Sequence, residues 1–111
     1  MKPEITIDEF DEIHKKLEIR IGKIIAAEAI PKSNGLKLFV AFDKDENDIR
    51  TAFTNLGKFF KPEQLLDLKA PFIMNLTPSV IKGVNSEIMI MAAEDSEGKI
   101  DLGFSIGTKL M

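Results

Sequence analysis

The sequence predicts an all-β protein with short helices, organised as a five-stranded barrel with an N-terminal helix and a C-terminal extension. Apolar and polar residues alternate in several short segments, as they do in strands that bury one face. Clusters of Gly, Pro, Asn and Asp separate these segments and predict turns. A chain of 111 residues can bury one real core, so we predict a single domain over residues 1–111.

The first predicted element is a short helix near the start of the chain. Thr6 or Asp8 can accept a hydrogen bond from the first helical turn and act as its N-cap. Phe10, Ile13 and Leu17 then recur at helical spacing. We expect this apolar face to pack on the barrel.

The first strand is predicted over residues 17–28. Its apolar residues alternate as far as Gly22 and then change parity, which is typical of a bulge or a sharp bend in a barrel strand. A bend at Gly22 would bring Arg20 and Lys23 together on the outer side of the strand.

The second and third strands follow a turn at residues 31–35 and are separated by an acidic turn at residues 43–48. The second strand has Lys37 and Phe39 on its outer face. Its apolar residues, which we predict to point inward, are Leu36, Leu38, Val40 and Phe42. The third strand is predicted over residues 49–54.

A short helix and two more strands complete the predicted barrel. Pro62 suits the first turn of the helix. The fourth strand covers residues 71–76 with Asn75 outward, and the fifth covers residues 87–93 with Met89 outward. The residues predicted to point inward are Phe72, Met74, Leu76, Ile88 and Ile90. Five strands with a helix between the third and the fourth is the order of the oligonucleotide/oligosaccharide-binding barrel, the OB fold.

The C-terminal segment, from about residue 99 to residue 111, is not needed for such a barrel. Its alternating apolar residues are Ile100, Leu102, Phe104 and Ile106. Left exposed, they would form a contiguous apolar patch of the kind that marks an interface. We therefore predict that residues 99–111 form an interface.

The charge distribution permits a basic face on an acidic chain. The net charge is −3, but most of the acidic residues lie in segments 1–12, 43–48 and 94–101. Outside these segments 12 basic residues remain against 5 acidic ones, which is compatible with a polyanionic partner. Solvated acidic turns also occur in proteins that have no such partner.

The composition argues against several kinds of site. The chain has no cysteine, which excludes disulfides and thiolate metal sites and fits a reducing cytoplasm. His14 is the only histidine, so a histidine-based triad and a multi-histidine metal site are excluded. We expect no enzymatic activity, no cofactor and no bound metal. No segment has the apolar length of a signal peptide or a membrane-spanning helix, so we expect a cytoplasmic protein without a membrane partner.

Four short motifs occur in an order that is characteristic of one family. Residues 17–24 have an acidic residue, an aliphatic residue and Arg before Gly-Lys, residues 61–65 read Lys-Pro-Glu-Gln-Leu, and residues 75–76 read Asn-Leu. Residues 83–93 read Gly-Val-Asn-Ser-Glu-Ile-Met-Ile-Met-Ala-Ala. Together they resemble the tRNA-binding domain family, which is found in methionyl-tRNA synthetases and in free-standing tRNA-binding proteins and which includes the export chaperone CsaA.

The resemblance implies a non-catalytic tRNA-binding protein that serves methionyl-tRNA synthetase as an accessory or β subunit-like module. It also implies a two-fold symmetric homodimer joined by residues 99–111, because free-standing members of the family pair through their C-terminal extension. In tRNA-binding members the Ser and Met of the last motif contact RNA, and these positions are Ser86 and Met89 here. The side chains of Asn75 and Ser86 can each donate and accept hydrogen bonds towards a base edge. The candidate phosphate contacts are Arg20, Lys23, Lys37 and Lys82.

Structural roles are open for the same residues. Ser86 could make a turn hydrogen bond, Met89 could be a half-exposed packing residue, and Asn75 could cap the end of its strand. Phe39 could stack on a base or pack at an interface. A second function is also open, because Ile88 replaces the family's usual Gly and resembles the corresponding segment of CsaA. In that alternative the same groove binds extended apolar peptides.

Overall fold

The computed structural model describes residues 2–94, 100–101 and 109–110. Its helices, in chain order, are α1 (Ile7–His14) and α2 (Pro62–Leu65), with a short 3₁₀ helix at Leu56–Lys58 before α2. Its strands are β1 (Ile19–Ala29), β2 (Leu36–Ala41), β3 (Ile49–Thr54), β4 (Lys69–Ile73), β5 (Ser79–Ile81), β6 (Val84–Ser86), β7 (Met89–Ile90), β8 (Ala93–Glu94), β9 (Ile100–Asp101) and β10 (Lys109–Leu110).

Five antiparallel strands form the main sheet in the order β3-β2-β1-β4-β7. Its two edges approach each other just before β7. The backbone N–H of Glu87 donates to the carbonyl of Thr51 at 3.0 Å, and the Glu87 carboxylate accepts from the Thr51 N–H at 2.9 Å. The sheet is therefore a nearly closed barrel, and the predicted OB-type fold with an N-terminal helix is confirmed.

The core fills this barrel and confirms the face predicted for the second strand. Leu36, Leu38 and Val40 are fully buried, while the alternate residues Lys37 and Phe39 are only partly buried. The other buried core residues are Ile24, Ala52, Leu56, Leu65, Ala70, Phe72, Met74 and Ile88. Phe42 closes one end of the core by an edge-to-face contact with Phe72, with ring centroids 5.7 Å apart.

The irregularity of β1 does not lie at Gly22, so that prediction is wrong. The pairing of β1 with β4 runs without interruption through Gly22, and the register shift occurs between Ile24 and Ala26. Gly22 has a packing role instead, because a Cβ at this position would lie 2.5 Å from Cγ1 of Val40.

The uninterrupted register also separates two residues that we expected to lie side by side. Arg20 pairs with the core residue Phe72, whereas Lys23 pairs with Lys69. Residues three apart in a regular strand point to opposite faces. Arg20 and Lys23 therefore do not share the outer face of β1.

The predicted fourth and fifth strands are shorter than expected and are joined by a hairpin that the sequence analysis missed. Leu76 was predicted to point inward but lies beyond the end of β4 and is 40% exposed. Strands β5 and β6 form the hairpin. Lys82 and Gly83 both have positive φ, 49° and 83°, as in the two-residue turn that favours Gly at its second position.

Helix α1 begins as predicted, but its apolar face does not pack on the barrel. Thr6 is the N-cap and forms a capping box with Glu9. Phe10 and Ile13 remain 48% and 58% exposed. The helix contributes no buried residue, and the Phe10 ring stacks on His14 with a centroid distance of 5.1 Å.

Part of the C-terminal extension is described. Strand β8 pairs with both β9 and β10 in a small antiparallel sheet. Ile100 begins β9, while Leu102, Phe104 and Ile106 lie outside the described residues. Within the described part of the chain, no helix is both long and apolar enough to cross a membrane.

Candidate nucleic-acid interface

An open cavity of about 430 Å³ lies where the end of β3, the β5–β6 hairpin and β7 meet, and we call it the groove. Its size is in the range of small-ligand pockets. Its lining residues are Phe53, Thr54, Asn55, Leu76, Thr77, Ser79, Ile81, Ser86, Ile88, Met89 and Ile90. All of these described residues are uncharged, so the groove presents apolar and neutral polar surface.

Ser86 lies in the wall of the groove, and its hydroxyl is engaged within the protein. Oγ accepts a hydrogen bond from the backbone N–H of Phe53 at 3.1 Å and donates to the carbonyl of Ile88 at 3.2 Å. These bonds join β6 to β3 and to the start of β7. A hydroxyl oxygen has two acceptor positions, so one remains for a ligand.

Met89 is the more exposed of the two predicted residues, Ser86 and Met89, that line the groove. It lies on β7 opposite Ile73 and is 52% exposed, while its neighbour Ile88 is buried in the core. The alternation of Ile88 inward and Met89 outward agrees with the pattern read from the sequence. The flexible, polarizable thioether of Met89 can adapt to the face of a base or to an apolar side chain.

Asn75 lies outside the groove and ties two segments together. Its Oδ1 accepts from the backbone N–H of Glu18 at 2.9 Å, and its Nδ2 donates to the carbonyl of Lys16. These bonds fix the link between α1 and β1 against the end of β4. Leu76 and Thr77, the next two residues, do line the groove.

The outer face of β2 and β3 leads into the groove and carries one predicted basic residue. Lys37 pairs with Phe53 across the two strands, and its Nζ lies 4.9 Å from the ring centroid of Phe39. Phe53 also lines the groove. Sequence analysis missed Phe53 as a site residue. Ile49 and Phe53 are the large apolar residues of β3 and share one face, but the structure buries Ala52 and Thr54 of the opposite face, so Phe53 points outward.

The other predicted basic residues are not part of the groove. Arg20 forms an ion pair with Glu18 at 2.8 Å. Lys82 occupies the turn of the β5–β6 hairpin. Lys23 lines a separate cavity of about 390 Å³ together with Lys69 and residues of the acidic 43–48 turn. Of the predicted site residues, the structure therefore brings Ser86 and Met89 together in the groove, places Lys37 opposite the groove residue Phe53, and leaves the rest apart.

The described residues offer no cluster of side chains suited to holding a metal ion. Arg50 lies near the start of β3, and its hydrogen bond to Asp48 raises the pKa of its guanidinium above the ordinary value. Asn55 lies just beyond the other end of β3 and lines the groove. Because its lining residues are uncharged, the groove offers shape, apolar contact and neutral hydrogen-bonding groups.

Comparison with known proteins gives consistent matches. The family model described as "Putative tRNA binding domain" matches residues 19–106. A methionine–tRNA ligase of Deinococcus radiodurans is 36% identical over 106 residues, which are 96% of this chain and 14% of that protein. The chain thus spans about one seventh of the length of that relative.

Two solved structures resemble the whole described barrel. The MetRS-related protein of Pyrococcus horikoshii is 31% identical, with a TM-score of 0.75, and the match covers 96% of this chain and 92% of the other. The chaperone CsaA of Bacillus anthracis is 20% identical, with a TM-score of 0.70, and the match covers 94% and 90% of the two chains. At that identity the likeness to CsaA is a likeness of fold.

Proposed function

The chain belongs to the tRNA-binding domain family, and on that basis we propose that it binds tRNA through the groove and the adjoining face of β2 and β3. The single observation that carries this proposal is that Phe53, which lines the groove, pairs with Lys37 on the neighbouring strand. It combines surfaces on which bases can lie with a flanking cation that can contact a phosphate. Proteins that bind single-stranded nucleic acid use this combination.

The proposed ligand region is an unpaired part of tRNA. Bases in loops and at ends are free to stack on side chains and to expose their hydrogen-bonding edges. Met89 supplies an exposed apolar surface and Phe53 a half-buried aromatic one. Base stacking of this kind contributes roughly 1–3 kcal/mol per base.

The remaining site residues have roles that follow from their positions. Ser86 contacts RNA through the acceptor position that its internal bonds leave free, and Asn75 through its second N–H. Lys82 contacts a phosphate from the hairpin turn. Arg20 and Lys23 contact the phosphate backbone of the RNA outside the groove, where they extend the electrostatic attraction between protein and RNA.

The chain is proposed to be a non-catalytic single domain that serves methionyl-tRNA synthetase in the cytoplasm as an accessory or β subunit-like module. Support comes from the relatives named methionine–tRNA ligase, of which this chain matches a small part, and from the MetRS-related protein, which it matches over nearly its full length. A domain of this kind raises the local concentration of tRNA near the enzyme that uses it.

A homodimer is part of the proposal. Apolar side chains are exposed on α1, at Phe10 and Ile13, and on the adjoining start of β1, where Ile21 is 62% exposed. Exposed apolar surface of this kind favours association with another protein surface. We propose that a second copy covers this surface and that residues 99–111 contribute to the same dimer.

A second candidate function is binding of extended apolar peptides, as in a CsaA-like export chaperone. The specific observation in its favour is the lining of the groove, in which Leu76, Ile81 and Met89 are exposed and no residue is charged. Such a surface can accept aliphatic side chains as well as bases.

The test is a direct competition. Binding of total tRNA and of a permanently unfolded polypeptide is measured by fluorescence anisotropy at low and at moderate salt. We expect tRNA to bind more tightly at low than at moderate salt and to displace the polypeptide. Tight polypeptide binding that tRNA does not displace would favour the chaperone function.

A further inference from the structure

Asn55 is a groove residue whose amide is not used by the fold. It follows β3 directly and precedes the 3₁₀ helix at residues 56–58, with φ −87° and ψ 13°. It occupies the capping position of that helix, yet its side chain makes no capping hydrogen bond. In the described part of the chain, its amide has no hydrogen-bond partner and is exposed to solvent at the edge of the groove.

The amide of Asn55 differs in this respect from the side chains of Ser86 and Asn75, the two polar residues that the sequence predicted to contact RNA. The Ser86 hydroxyl already uses its donor and one of its two acceptor positions, in bonds to Phe53 of β3 and to Ile88. Both ends of the Asn75 amide bind backbone groups of the segment between α1 and β1. Asn55 keeps its carbonyl oxygen and both N–H donors available for a ligand.

The position of Asn55 suits contact with a stacked base. Asn55 directly follows Thr54, the last residue of β3, and lies two residues after Phe53. Phe53 and Asn55 both line the groove. A base that lies against Phe53 is therefore next to Asn55, whose amide can turn towards the edge of the base.

The chemistry of the amide matches a base edge. An asparagine presents a donor and an acceptor side by side, and such a pair can bind a base that carries an adjacent acceptor and donor. We propose that Asn55 reads the edge of an unpaired base in the groove and that it gives the protein a base preference. This inference rests on the proposed function and names the residue that determines its specificity.

The same amide disfavours the competing ligand. An apolar side chain that covered Asn55 would remove water from the amide without replacing its hydrogen bonds, which weakens binding. A base edge replaces those bonds. RNA therefore fits this part of the groove better than an aliphatic peptide.

The experiment uses four single-stranded RNA pentanucleotides, each of which contains only A, only C, only G or only U. Dissociation constants for the full chain are measured by fluorescence anisotropy at constant salt. The variants are Asn55→Ala, which deletes the amide, and Asn55→Asp, which keeps the shape and removes the donors. Asn85→Ala is the matched control, because Asn85 is also exposed and also lacks a side-chain partner among the described residues, but does not line the groove.

We expect the wild-type protein to bind one of the four oligonucleotides more tightly than the others. In Asn55→Ala, the ratio of the dissociation constants for the other oligonucleotides to that for the preferred one should fall at least about fivefold. This is roughly the lower limit for loss of a paired base contact. Asn55→Asp should also lose the preference, while Asn85→Ala should keep it. Equal preferences in wild type and Asn55→Ala, or no preference in a wild type that binds RNA, would overturn the inference. Absence of any wild-type binding to these oligonucleotides and to tRNA would instead refute the proposed function itself.

Discussion

The hydroxyl of Ser86 accepts a hydrogen bond from the backbone N–H of Phe53, across the gap between β6 and β3. The same oxygen donates to the carbonyl of Ile88. One side chain thus connects the wall of the groove to the edge of the barrel. A residue singled out for RNA contact is at the same time a structural connection.

Ser86→Ala should therefore destabilise the protein and weaken tRNA binding together. The variant leaves the partly buried Phe53 N–H without its partner, which costs about 1–3 kcal/mol. Chemical denaturation measures the free energy of unfolding, and anisotropy measures the affinity. Ser79→Ala is the control, because Ser79 also lines the groove but makes no side-chain hydrogen bond with the described residues. A Ser86→Ala variant as stable as Ser79→Ala would contradict the structural role.

Met89→Ala should separate binding from stability. The side chain is half exposed, so we expect the free energy of unfolding to change by less than about 0.5 kcal/mol. Affinity for tRNA should fall by roughly 1 kcal/mol or more if a base stacks on the thioether. Met74→Ala is the contrasting variant, because Met74 is buried in the core and its truncation should cost about 2–5 kcal/mol. Unchanged affinity in Met89→Ala would mean that the ligand does not cover this part of the groove.

Lys37→Gln should reduce the salt dependence of tRNA binding. Each lysine or arginine that neutralises a phosphate adds roughly 0.7–0.9 to the slope of log affinity against log salt. Lys37 lies beside the groove with Phe39 and Phe53, so its loss should lower the slope by about one such increment. Lys15→Gln changes the net charge equally at the C-cap of α1, and Lys15 is not a residue that lines the groove. Equal slopes for the two variants would show that Lys37 contacts no phosphate.

Phe10→Asp should weaken the homodimer. Phe10 is half exposed on α1, and a carboxylate placed in an apolar contact must lose its water without a partner. Light scattering at tens of micromolar measures the mass in solution. Val80→Asp is the control, because Val80 is also exposed but lies on the β5–β6 hairpin. Deletion of residues 99–111 and Phe104→Asp test the extension separately. A monomeric wild-type protein would refute the dimer.

The sequence by itself determined the fold and the general position of the groove. Alternation over residues 36–42 identified the second strand and its inward face, because a half-buried strand must place apolar side chains at every second residue. The third strand was predicted at residues 49–54, but its inward face was not. The motif at residues 83–93 identified Ser86 and Met89, and both line the groove. These features depend on local patterns, which a sequence records directly.

The tertiary structure decided which polar groups are free. Nothing local indicates that Asn75 binds the link between α1 and β1, or that Ser86 binds Phe53, because the partners are 57 and 33 residues away in the chain. The faces of Arg20 and Lys23 likewise depended on where the irregularity of β1 falls, and one residue of shift reverses the face of every side chain beyond it. Asn55 became a candidate for base contact only in the folded chain, where its amide has no partner among the described residues and lies at the edge of the groove. Hydrogen bonds between distant segments form only when those segments pack together, so a local sequence pattern does not show which amides remain free.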